Sequence, residues 1–408
     1  MSLYLWSPER TAIDEVALLA RIEAMTYRGY EPCAPAAIAM LSAISHVLLN
    51  DPQARRAPQY VALGYWLRPA AMRRMCDELV AQATRQTSAW APRGVALHLP
   101  PTNVDTIFVY SWALSVLAGN TNIVRLATTL SSDAEWLVRL VARIAIEHGE
   151  GDRQIFCAYP YGGGLEKATS RHCDLRMIWG GDAKVEAVSR IPIRPDGLSI
   201  GFPDRKSLAL IRVESYEAAT EAERDDLANR LYNDIYWFDQ MGCGSPRLIV
   251  WEGEERRDLT TDLYARLSRI VAAKNYSVET GVAIGKFALA NDLLAEGLAD
   301  RLGFRSNELC VYDAADPGSC MQRVHGGGFL GECFVADIAD AATFVTRNVQ
   351  TLTHFGFERE KLEDLARRLF SRGGYRIVPI GQALQFDTEW DGVELLAHMT
   401  RRIVVRAQ

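Results

Sequence analysis

An alternation of short apolar runs with longer amphipathic stretches begins after Pro92, and it limits the possible folds more than any other feature of the chain. The short runs are typical of buried strands, and the longer stretches have the 3.6-residue period of helices. The predicted order is strand 94–98, helix 104–118, strand 122–126, helix 134–148, strand 155–159 and strand 176–179. Consecutive parallel strands need right-handed crossovers of this kind. The sequence therefore predicts an α/β fold around a parallel sheet.

The second half of the chain repeats the alternation, with no internal repeat and no low-complexity linker. Its predicted elements are strand 207–213, helix 221–238, strand 247–251, helices 258–274, 288–302, 339–351 and 359–370, strand 376–379, a turn at 390–392, a short helix and strand 403–406. Two helical patterns, 35–50 and 72–87, precede the first strand. A domain boundary is expected near residue 205.

Composition narrows the class of protein. The 408 residues carry a net charge of −6 and are 49% hydrophobic, which suits two or three folded domains and argues against disorder and nucleic-acid binding. The most apolar stretch, 107–118, is too short to span a bilayer. The first ten residues do not resemble a signal peptide, so the cytoplasm is the expected location.

The eight cysteines are scattered, and no two have C-x-x-C spacing. No metal site is therefore predicted, and all eight thiols are expected to be reduced. His172 beside Cys173 and Glu332 beside Cys333 could suggest ligands, but sequence neighbours rarely share a metal. Core or surface roles are the simpler interpretation.

Three glycine-containing segments could suggest a phosphate site. The segment 281–287 (GVAIGKF) is one residue short of a phosphate loop and has Phe287 where Ser or Thr must reach magnesium, so we reject it. The clusters 162–164 and 326–328 lack the dinucleotide-binding fingerprint. Each is interpreted as a turn, with a role beside a ligand as the alternative.

Cys243 lies between Gly242 and Gly244, after a long amphipathic helix and before an apolar strand. The missing side chains beside the sulfur favour a nucleophile, because a substrate carbonyl and a second reactant must approach it from different sides. An ordinary buried thiol would also fit this local pattern.

Four segments, in order along the chain, resemble the aldehyde dehydrogenase superfamily and within it the fatty acyl-CoA reductase branch known from bacterial bioluminescence. They are 92–103 (PRGVALHLPPTN), 118–125 (AGNTNIVR), 178–182 (IWGGD) and 240–246 (QMGCGSP). The turn at 390–392 (WDG) also looks like that branch. The resemblance covers about residue 90 to the end.

This resemblance implies an aldehyde dehydrogenase-like α/β fold. A helical lead-in would span 1–90, a Rossmann-type NADP-binding domain 91–205, and a catalytic domain with the nucleophilic cysteine 206–374. The segment 375–408 would return to the cofactor domain or to an oligomer interface.

The resemblance also implies roles for two residues in the chemical step. Cys243 would be the nucleophile, and the Asn103 amide would donate to the substrate oxygen as it gains negative charge, an effect worth roughly 100- to 1000-fold in rate. The alternative for Asn103 is a helix cap.

Five further residues would bind the cofactor: Arg125, Thr128, Gly180, Gly181 and Asp182. Arg125 would reach the adenosine ribose, and Thr128 stands where NAD-specific relatives have an acid, so NADP is expected. A solvated arginine and a plain glycine turn are the alternatives.

The chain departs from ordinary aldehyde dehydrogenases at two places. The stretch 198–204 (LSIGFPD) has no glutamate to activate hydrolytic water, and the later Glu-x-Phe-Gly-Pro segment is missing. Glu332 is a weak substitute for that second glutamate.

These departures favour NADPH-dependent reduction of an acyl thioester, from CoA or a carrier protein, to an aldehyde. An aldehyde dehydrogenase, an acyl-phosphate reductase and an inactive dinucleotide-binding partner protein are the alternatives. A homo-oligomer, or a complex with an acyl-transferring protein, would be compatible with the sequence.

Overall fold

The computed structural model describes residues 3–25, 27, 30–85, 88–101, 104–323 and 325–406. The chain forms two compact units. The first contains Met1–Pro203 and Phe386–Gln408, and the second contains Asp204–Gln385.

Up to Pro203 the first unit alternates helices and strands. Its strands are Leu3–Trp6 (β1), Arg10–Ile13 (β2), Ser88–Pro92 (β3), Val95–Leu99 (β4), Thr121–Leu126 (β5), Gln154–Ala158 (β6), Leu175–Trp179 (β7) and Leu198–Phe202 (β8). Its helices are Glu15–Ala24 (α1), Pro35–Asn50 (α2), Pro58–Trp66 (α3), Pro69–Arg85 (α4), Ile107–Leu117 (α5), Ser132–Glu147 (α6), Gly164–His172 (α7) and Asp182–Ser189 (α8).

The main sheet of this unit has the order β2-β1-β6-β5-β4-β7-β8. The strands from β6 to β8 run parallel, and β1 joins β6 antiparallel. Alternate strand residues face opposite sides, so Ala96 and Val124 pack with α2 and α5 while Leu97 and Ile123 pack with α1 and α7. Both faces are covered by helices, which confirms the predicted α/β fold.

The N-terminal segment is more than a helical lead-in. Its helices α2 and α4 match the two predicted patterns, but residues 3–13 form a hairpin that extends the parallel sheet. Tyr4 pairs with Ala158, and no local pattern in the sequence indicates so distant a partner.

The second unit repeats the layered arrangement. Its strands are Lys206–Arg212 (β9), Pro246–Glu252 (β10), Ala299–Ser306 (β11), Leu309–Ala314 (β12), Phe329–Val335 (β13), Val349–Phe355 (β14) and Arg376–Pro379 (β15). Its helices are Val213–Ala218 (α9), Glu221–Tyr236 (α10), Arg257–Ala273 (α11), Thr280–Ala295 (α12), Pro317–Cys320 (α13) and Arg359–Arg368 (α14). The sheet order is β11-β12-β13-β10-β9-β14-β15, and all neighbours except β11 and β12 pair in parallel.

Two predicted helices of this unit are wrong in part. The helix expected at 339–351 is a short 3-10 turn, Ile338–Thr343, followed by β14, which pairs with β9. The helix expected at 288–302 lies at Thr280–Ala295, and β11 begins at Ala299. In both places β-branched or alternating residues favour a strand after the turn.

The chain returns to the first unit at Phe386. Here it forms the strands Glu389–Trp390 (β16) and Val393–Glu394 (β17), the helix Leu395–His398 (α15) and the strand Thr400–Val404 (β18), which pairs with β3. Asp391 and Gly392 both have positive φ, as a two-residue hairpin turn requires, so the predicted turn is confirmed.

Within the described ranges, no helix is both long enough and apolar enough to cross a membrane. The described side chains also include no group of three His, Cys, Asp or Glu residues arranged to hold a metal ion.

Candidate active site

Cys243 differs from the other cysteines in its surroundings. Cys33 and Cys76 form a disulfide, which corrects the expectation that all eight thiols are reduced. The fold brings their Cα atoms within 5.8 Å, although 43 residues separate them in sequence. Burial raises the pKa of five other thiols to about 11 or 12: Cys157, Cys173, Cys310, Cys320 and Cys333. Protonated buried thiols are poor nucleophiles, whereas Cys243 is half-buried in a turn.

The turn that carries Cys243 begins with an unusual backbone. After α10, a 3-10 turn at Trp237–Gln240 contains Phe238, Asp239 and Gln240 at φ of 56°, 52° and 62°. Left-handed conformations of residues other than glycine cost on the order of 1 kcal/mol or more each, and they persist only where surrounding contacts enforce them.

Gln240 supplies those contacts. Its side chain is fully buried, and its amide nitrogen donates to the carbonyl oxygens of Pro246 and Phe329 at 2.9 and 3.0 Å. Its amide oxygen accepts from the backbone N–H groups of Gly328 and Phe329. One side chain therefore ties the start of the cysteine turn to the starts of β10 and β13.

The glycines at 326–328 form the other side of this clamp. The Gly327 N–H donates to the Asp239 carbonyl oxygen at 2.9 Å. A Cβ at Gly326 would lie 2.5 Å from the same oxygen, and a Cβ at Gly328 would lie 1.9 Å from the Glu308 carbonyl oxygen. The sequence predicted a turn here, with a role beside a ligand as the alternative; the close approach of backbone to backbone explains the glycines.

A second loop packs against the cysteine turn. A Cβ at Gly244 would lie 2.3 Å from the Ala383 carbonyl oxygen, so this position requires glycine. Asp234, buried on α10, accepts from the N–H groups of Gly381 and Ala383 at 2.7 and 3.0 Å. Burial raises the pKa of Asp234 to about 7. The sequence analysis missed Asp234, because its partners lie about 150 residues away.

The predicted cofactor residues lie at the carboxyl edge of the parallel sheet in the first unit. Arg125 is on β5, 3% exposed, and its Nε and Nη2 donate to the Tyr159 carbonyl oxygen. The Tyr161 ring lies 3.4 Å from the guanidinium carbon. Nη1 has no hydrogen bond to a described residue, and the guanidinium lies buried against the Tyr161 ring.

Gly180 and Gly181 connect β7 to α8, with exposed Asp182 in the first turn of the helix. Gly180 has φ of 149°, and a Cβ there would lie 2.7 Å from the Lys184 side chain. Lys184 donates to the carbonyl oxygens of Leu99, Pro100 and Trp179 at 3.3, 2.9 and 2.8 Å. It therefore joins the carboxyl ends of β4 and β7, a role that the sequence analysis missed.

Helices α7 and α8 both begin at this edge with a glycine N-cap and no side-chain cap. A Cβ on Gly162 or Gly163 would meet no atom within 4 Å, so the space above this loop is open. Uncapped helix N-termini after parallel strands are typical phosphate sites. The open glycine loop and the uncapped backbone N–H groups leave room for the phosphates of a dinucleotide. At α7, however, the buried Glu166 carboxylate already accepts from the Gly162 N–H at 2.6 Å. The Asp182 carboxylate, in the first turn of α8, would repel a phosphate there. It can instead accept a hydrogen bond from a hydroxyl group.

Thr128 follows β5 and is half-buried. Its carbonyl oxygen accepts from Arg10 Nη2 at 2.8 Å, and Arg10 also forms an ion pair with Glu135 at 3.9 Å, so its charge beside position 128 is partly compensated. Arg10 was not predicted as a site residue. Asn103, the expected oxyanion donor, lies outside the residues that the structure describes.

The structure also explains the segment 281–287 and Glu332, which the sequence analysis considered for a phosphate loop and for a cofactor contact. The rejected segment 281–287 lies within α12, and its Lys286 is buried and donates to the carbonyl oxygens of Asn307 and Gly327. Glu332 is buried on β13, where its two oxygens accept from Arg257 and Tyr264 at 2.8 Å each. Burial raises the pKa of Glu332 to about 6. Both oxygens are thus engaged within the second unit.

Comparison with known proteins agrees with the resemblance of the four segments. A family model for acyl-CoA reductase (LuxC) matches residues 71–402, most of the chain. No curated protein matches the sequence.

Solved structures show the fold. An aldehyde dehydrogenase of Mycobacterium tuberculosis complexed with NAD+ matches with a TM-score of 0.65 and 15% identity, over 95% of this chain and 89% of that one. A methylmalonate-semialdehyde dehydrogenase from Oceanimonas doudoroffii matches with a TM-score of 0.68 and 12% identity, over 99% and 94%. The predicted aldehyde dehydrogenase-like fold is confirmed.

Proposed function

This protein belongs to the acyl-CoA reductase (LuxC) family, an enzyme family that acts on acyl substrates, and we propose that it reduces an acyl thioester to an aldehyde with NADPH. The observation that carries the proposal is the position of Cys243. It is a half-buried thiol in a glycine-flanked turn held by Gln240, in a protein whose other cysteines are paired or raised in pKa by burial.

In the proposed reaction the Cys243 sulfur attacks the thioester carbonyl. The S–C bond to Cys243 forms, and the bond to the CoA or carrier-protein sulfur breaks as that thiolate leaves. NADPH, when bound, would supply the hydride that the acyl carbon accepts, and NADP⁺ would remain; one proton taken from solvent balances the reaction as the departing thiolate becomes a thiol. The Cys243–carbon bond then breaks, and the aldehyde is released. Asn103 and the Cys243 backbone N–H are the proposed donors to the oxyanion.

NADP is the proposed cofactor. The absence of an acid at Thr128, and the Arg125 guanidinium, whose Nη1 has no hydrogen bond to a described residue, support binding of a 2′-phosphate. Gly180, Gly181 and the N-terminus of α8 would bind the pyrophosphate, and Asp182 would accept from a hydroxyl group.

The test is oxidation of NADPH, followed by its absorbance, with a panel of acyl-CoA and acyl-carrier-protein thioesters. We expect turnover with at least one thioester and none with Cys243→Ala. Turnover only with acyl phosphates, or acid formation from aldehyde without a thiol, would replace the proposed reaction by one of the alternatives. Light scattering, alone and with an acyl-transferring protein, tests for a homo-oligomer or a complex.

The cytoplasm is the proposed location, since it contains acyl thioesters and NADPH. The Cys33–Cys76 disulfide argues the other way, because disulfides are uncommon in cytosolic proteins. Alkylation of thiols in freshly lysed cells, before and after reduction, counts the reduced cysteines. Eight reduced thiols would favour the cytoplasm, and six would favour an oxidising compartment.

A further inference from the structure

A chain of buried hydrogen bonds runs across the parallel strands of the first unit. It contains His98 on β4, Ser111 on α5, Asn122 on β5 and Gln154 on β6, and the first three of these residues are fully buried. The His98 ring nitrogens Nδ1 and Nε2 lie 2.8 Å from Ser111 Oγ and 3.1 Å from Asn122 Oδ1. Such a network is stable only where its buried polar groups have partners.

The chain of hydrogen bonds ends at two tryptophans. At one end the indole N–H of Trp112 donates to Gln154 Oε1 at 2.7 Å. At the other end the indole N–H of Trp179 donates to Ser111 Oγ at 3.2 Å. Trp179 is the last residue of β7 and directly precedes Gly180. The network therefore reaches the glycine turn at the carboxyl edge of the sheet.

The direction of these hydrogen bonds is fixed. A backbone carbonyl only accepts, and that of Asn120 lies 3.0 Å from the Asn122 amide nitrogen. The Asn122 Oδ1 therefore accepts from Nε2 of His98. Burial lowers the pKa of His98 to about 4, so the ring is neutral at pH 7 and its Nδ1 is an acceptor. The Ser111 hydroxyl thus donates to His98, and its oxygen accepts from Trp179.

The indole of Trp179 is coupled to the path of the glycine turn. Its ring stacks on Phe202, with ring centroids 4.0 Å apart and an angle of 20° between the planes. The Gly180 N–H donates to the Phe202 carbonyl oxygen at 3.2 Å, and the Trp179 carbonyl oxygen accepts from Lys184 at 2.8 Å. A displaced indole would therefore disturb the contacts that hold Gly180.

We propose that Ser111 is a positioning residue for the cofactor: its hydroxyl group, oriented by His98, holds the Trp179 indole and through it the turn at Gly180 and Gly181. The inference rests on the proposed function, in which this turn binds the pyrophosphate of NADPH. Ser111 is fully buried, so it acts through Trp179. In this role no covalent bond changes and no proton is transferred.

Isothermal titration calorimetry with NADPH tests this role without an acyl substrate. Ser111→Ala removes the hydroxyl that Trp179 and His98 contact. We expect the Kd for NADPH to rise about tenfold, because the turn that binds the pyrophosphate becomes less well fixed.

Ser115→Ala is the matched control. Ser115 lies one turn later on α5, is also fully buried, and accepts from the Asn120 side chain at 3.2 Å. Asn120 precedes β5, at the amino edge of the sheet and away from the glycine turn. Ser115→Ala should therefore keep the Kd within about twofold of the wild-type value. Thermal unfolding establishes that both variants are folded.

A double-mutant cycle separates positioning from a general loss of packing. Trp179→Phe keeps an aromatic ring against Phe202 but has no N–H to donate. Adding Ser111→Ala to Trp179→Phe should change the Kd for NADPH by less than about twofold, because the hydrogen bond is already absent. If the two effects on Kd multiply instead, Ser111 does not act through Trp179 and the inference is overturned.

An unchanged Kd for NADPH in folded Ser111→Ala also overturns the inference, and so does an equal rise in Ser115→Ala. Reduction of acyl thioesters by the wild type separates this failure from failure of the proposed function. If a thioester is reduced while the Kd is independent of Ser111, the inference fails and the function stands. If Ser111→Ala weakens NADPH binding but the wild type reduces no thioester, the inference holds and the function fails.

Discussion

The hydroxyl group of Ser207 donates a hydrogen bond to the carbonyl oxygen of Cys243 at 2.7 Å. The same oxygen atom of Ser207 accepts from the Thr351 N–H at 3.1 Å. Ser207 is fully buried at the start of β9, so it links the cysteine turn to β14.

Replacing Ser207 by alanine should weaken both activity and stability. The buried Thr351 N–H and Cys243 carbonyl would lose their partner, which costs about 1–3 kcal/mol for each unsatisfied group. We expect a lower kcat with a smaller change in KM, because the nucleophile becomes less well fixed. Urea unfolding and steady-state kinetics measure the two effects.

Thr353→Val is the matched control for Ser207→Ala. Thr353 is buried on β14, and its hydroxyl has no hydrogen-bond partner among the residues that the structure describes. Its removal should change neither the free energy of unfolding nor kcat appreciably. Equal effects of the two substitutions would show that the Ser207–Cys243 hydrogen bond has no special role.

Gln240→Glu should destabilise the second unit. The carboxylate can still accept from Gly328 and Phe329, but the donations to the carbonyl oxygens of Pro246 and Phe329 are lost. Two buried acceptors without partners predict a decrease of about 2–5 kcal/mol in the free energy of unfolding. The exposed residue Gln385 provides the control, since Gln385→Glu should stay within about 0.5 kcal/mol of wild type.

The raised pKa of Asp234 predicts a pH-dependent stability. Burial raises this pKa from 3.8 to about 7, against the opposing effect of Arg230, Arg376 and two backbone N–H groups. The unfolded chain releases the proton at lower pH than the folded protein. The contribution of Asp234 to the free energy of unfolding is therefore greatest below about pH 4 and decreases as the pH rises to about 7.

Asp234→Asn tests this direction. Urea unfolding gives the free energy of unfolding of the wild type and of the variant at each pH. The wild-type value minus the variant value should decrease between pH 5 and pH 8. Asp300→Asn, at an exposed position, should show a difference that does not change with pH. A difference for Asp234→Asn that grows with pH would contradict the assignment.

The cofactor preference depends on Arg125. Arg125→Ala removes the guanidinium and its hydrogen bonds to a charged phosphate. We expect kcat/KM for NADPH to fall about 10- to 100-fold, and kcat/KM for NADH to fall less. Arg139→Ala, which removes a half-exposed arginine on α6, should leave both values unchanged. A wild-type preference for NADH would refute the NADP assignment.

Much of the fold follows from local sequence patterns. The strands of the first unit from β4 to β7 were predicted within two residues, because each is a short apolar run bounded by turn residues. The hairpin at residues 3–13 was missed, since its partner strand β6 lies about 150 residues away. The first three residues of β14 were included in the predicted helix 339–351, because they follow a stretch rich in alanine, and the rest of the strand was not predicted.

In the candidate site, too, the sequence predicted local features but missed contacts between residues that are distant in sequence. Cys243 and its flanking glycines are visible in the sequence, as are Arg125 and the glycines after β7. The residues that fix the cysteine turn are not: Gln240 reaches Phe329, Asp234 reaches Ala383, and Ser207 reaches Cys243 across 36 to 149 residues. Hydrogen bonds of such long separation depend on the tertiary fold, which a single sequence does not specify by local pattern.

The most direct measurement of the central claim is the intact mass of the enzyme after incubation with acyl-CoA in the absence of NADPH. The stretch 198–204 has no glutamate to activate water, and general-base assistance is typically worth about 100- to 10,000-fold. We therefore predict an acyl adduct that persists, maps to the Cys243 peptide and disappears on addition of NADPH with formation of aldehyde. Rapid formation of free acid without NADPH, or an adduct on another cysteine, would contradict the account.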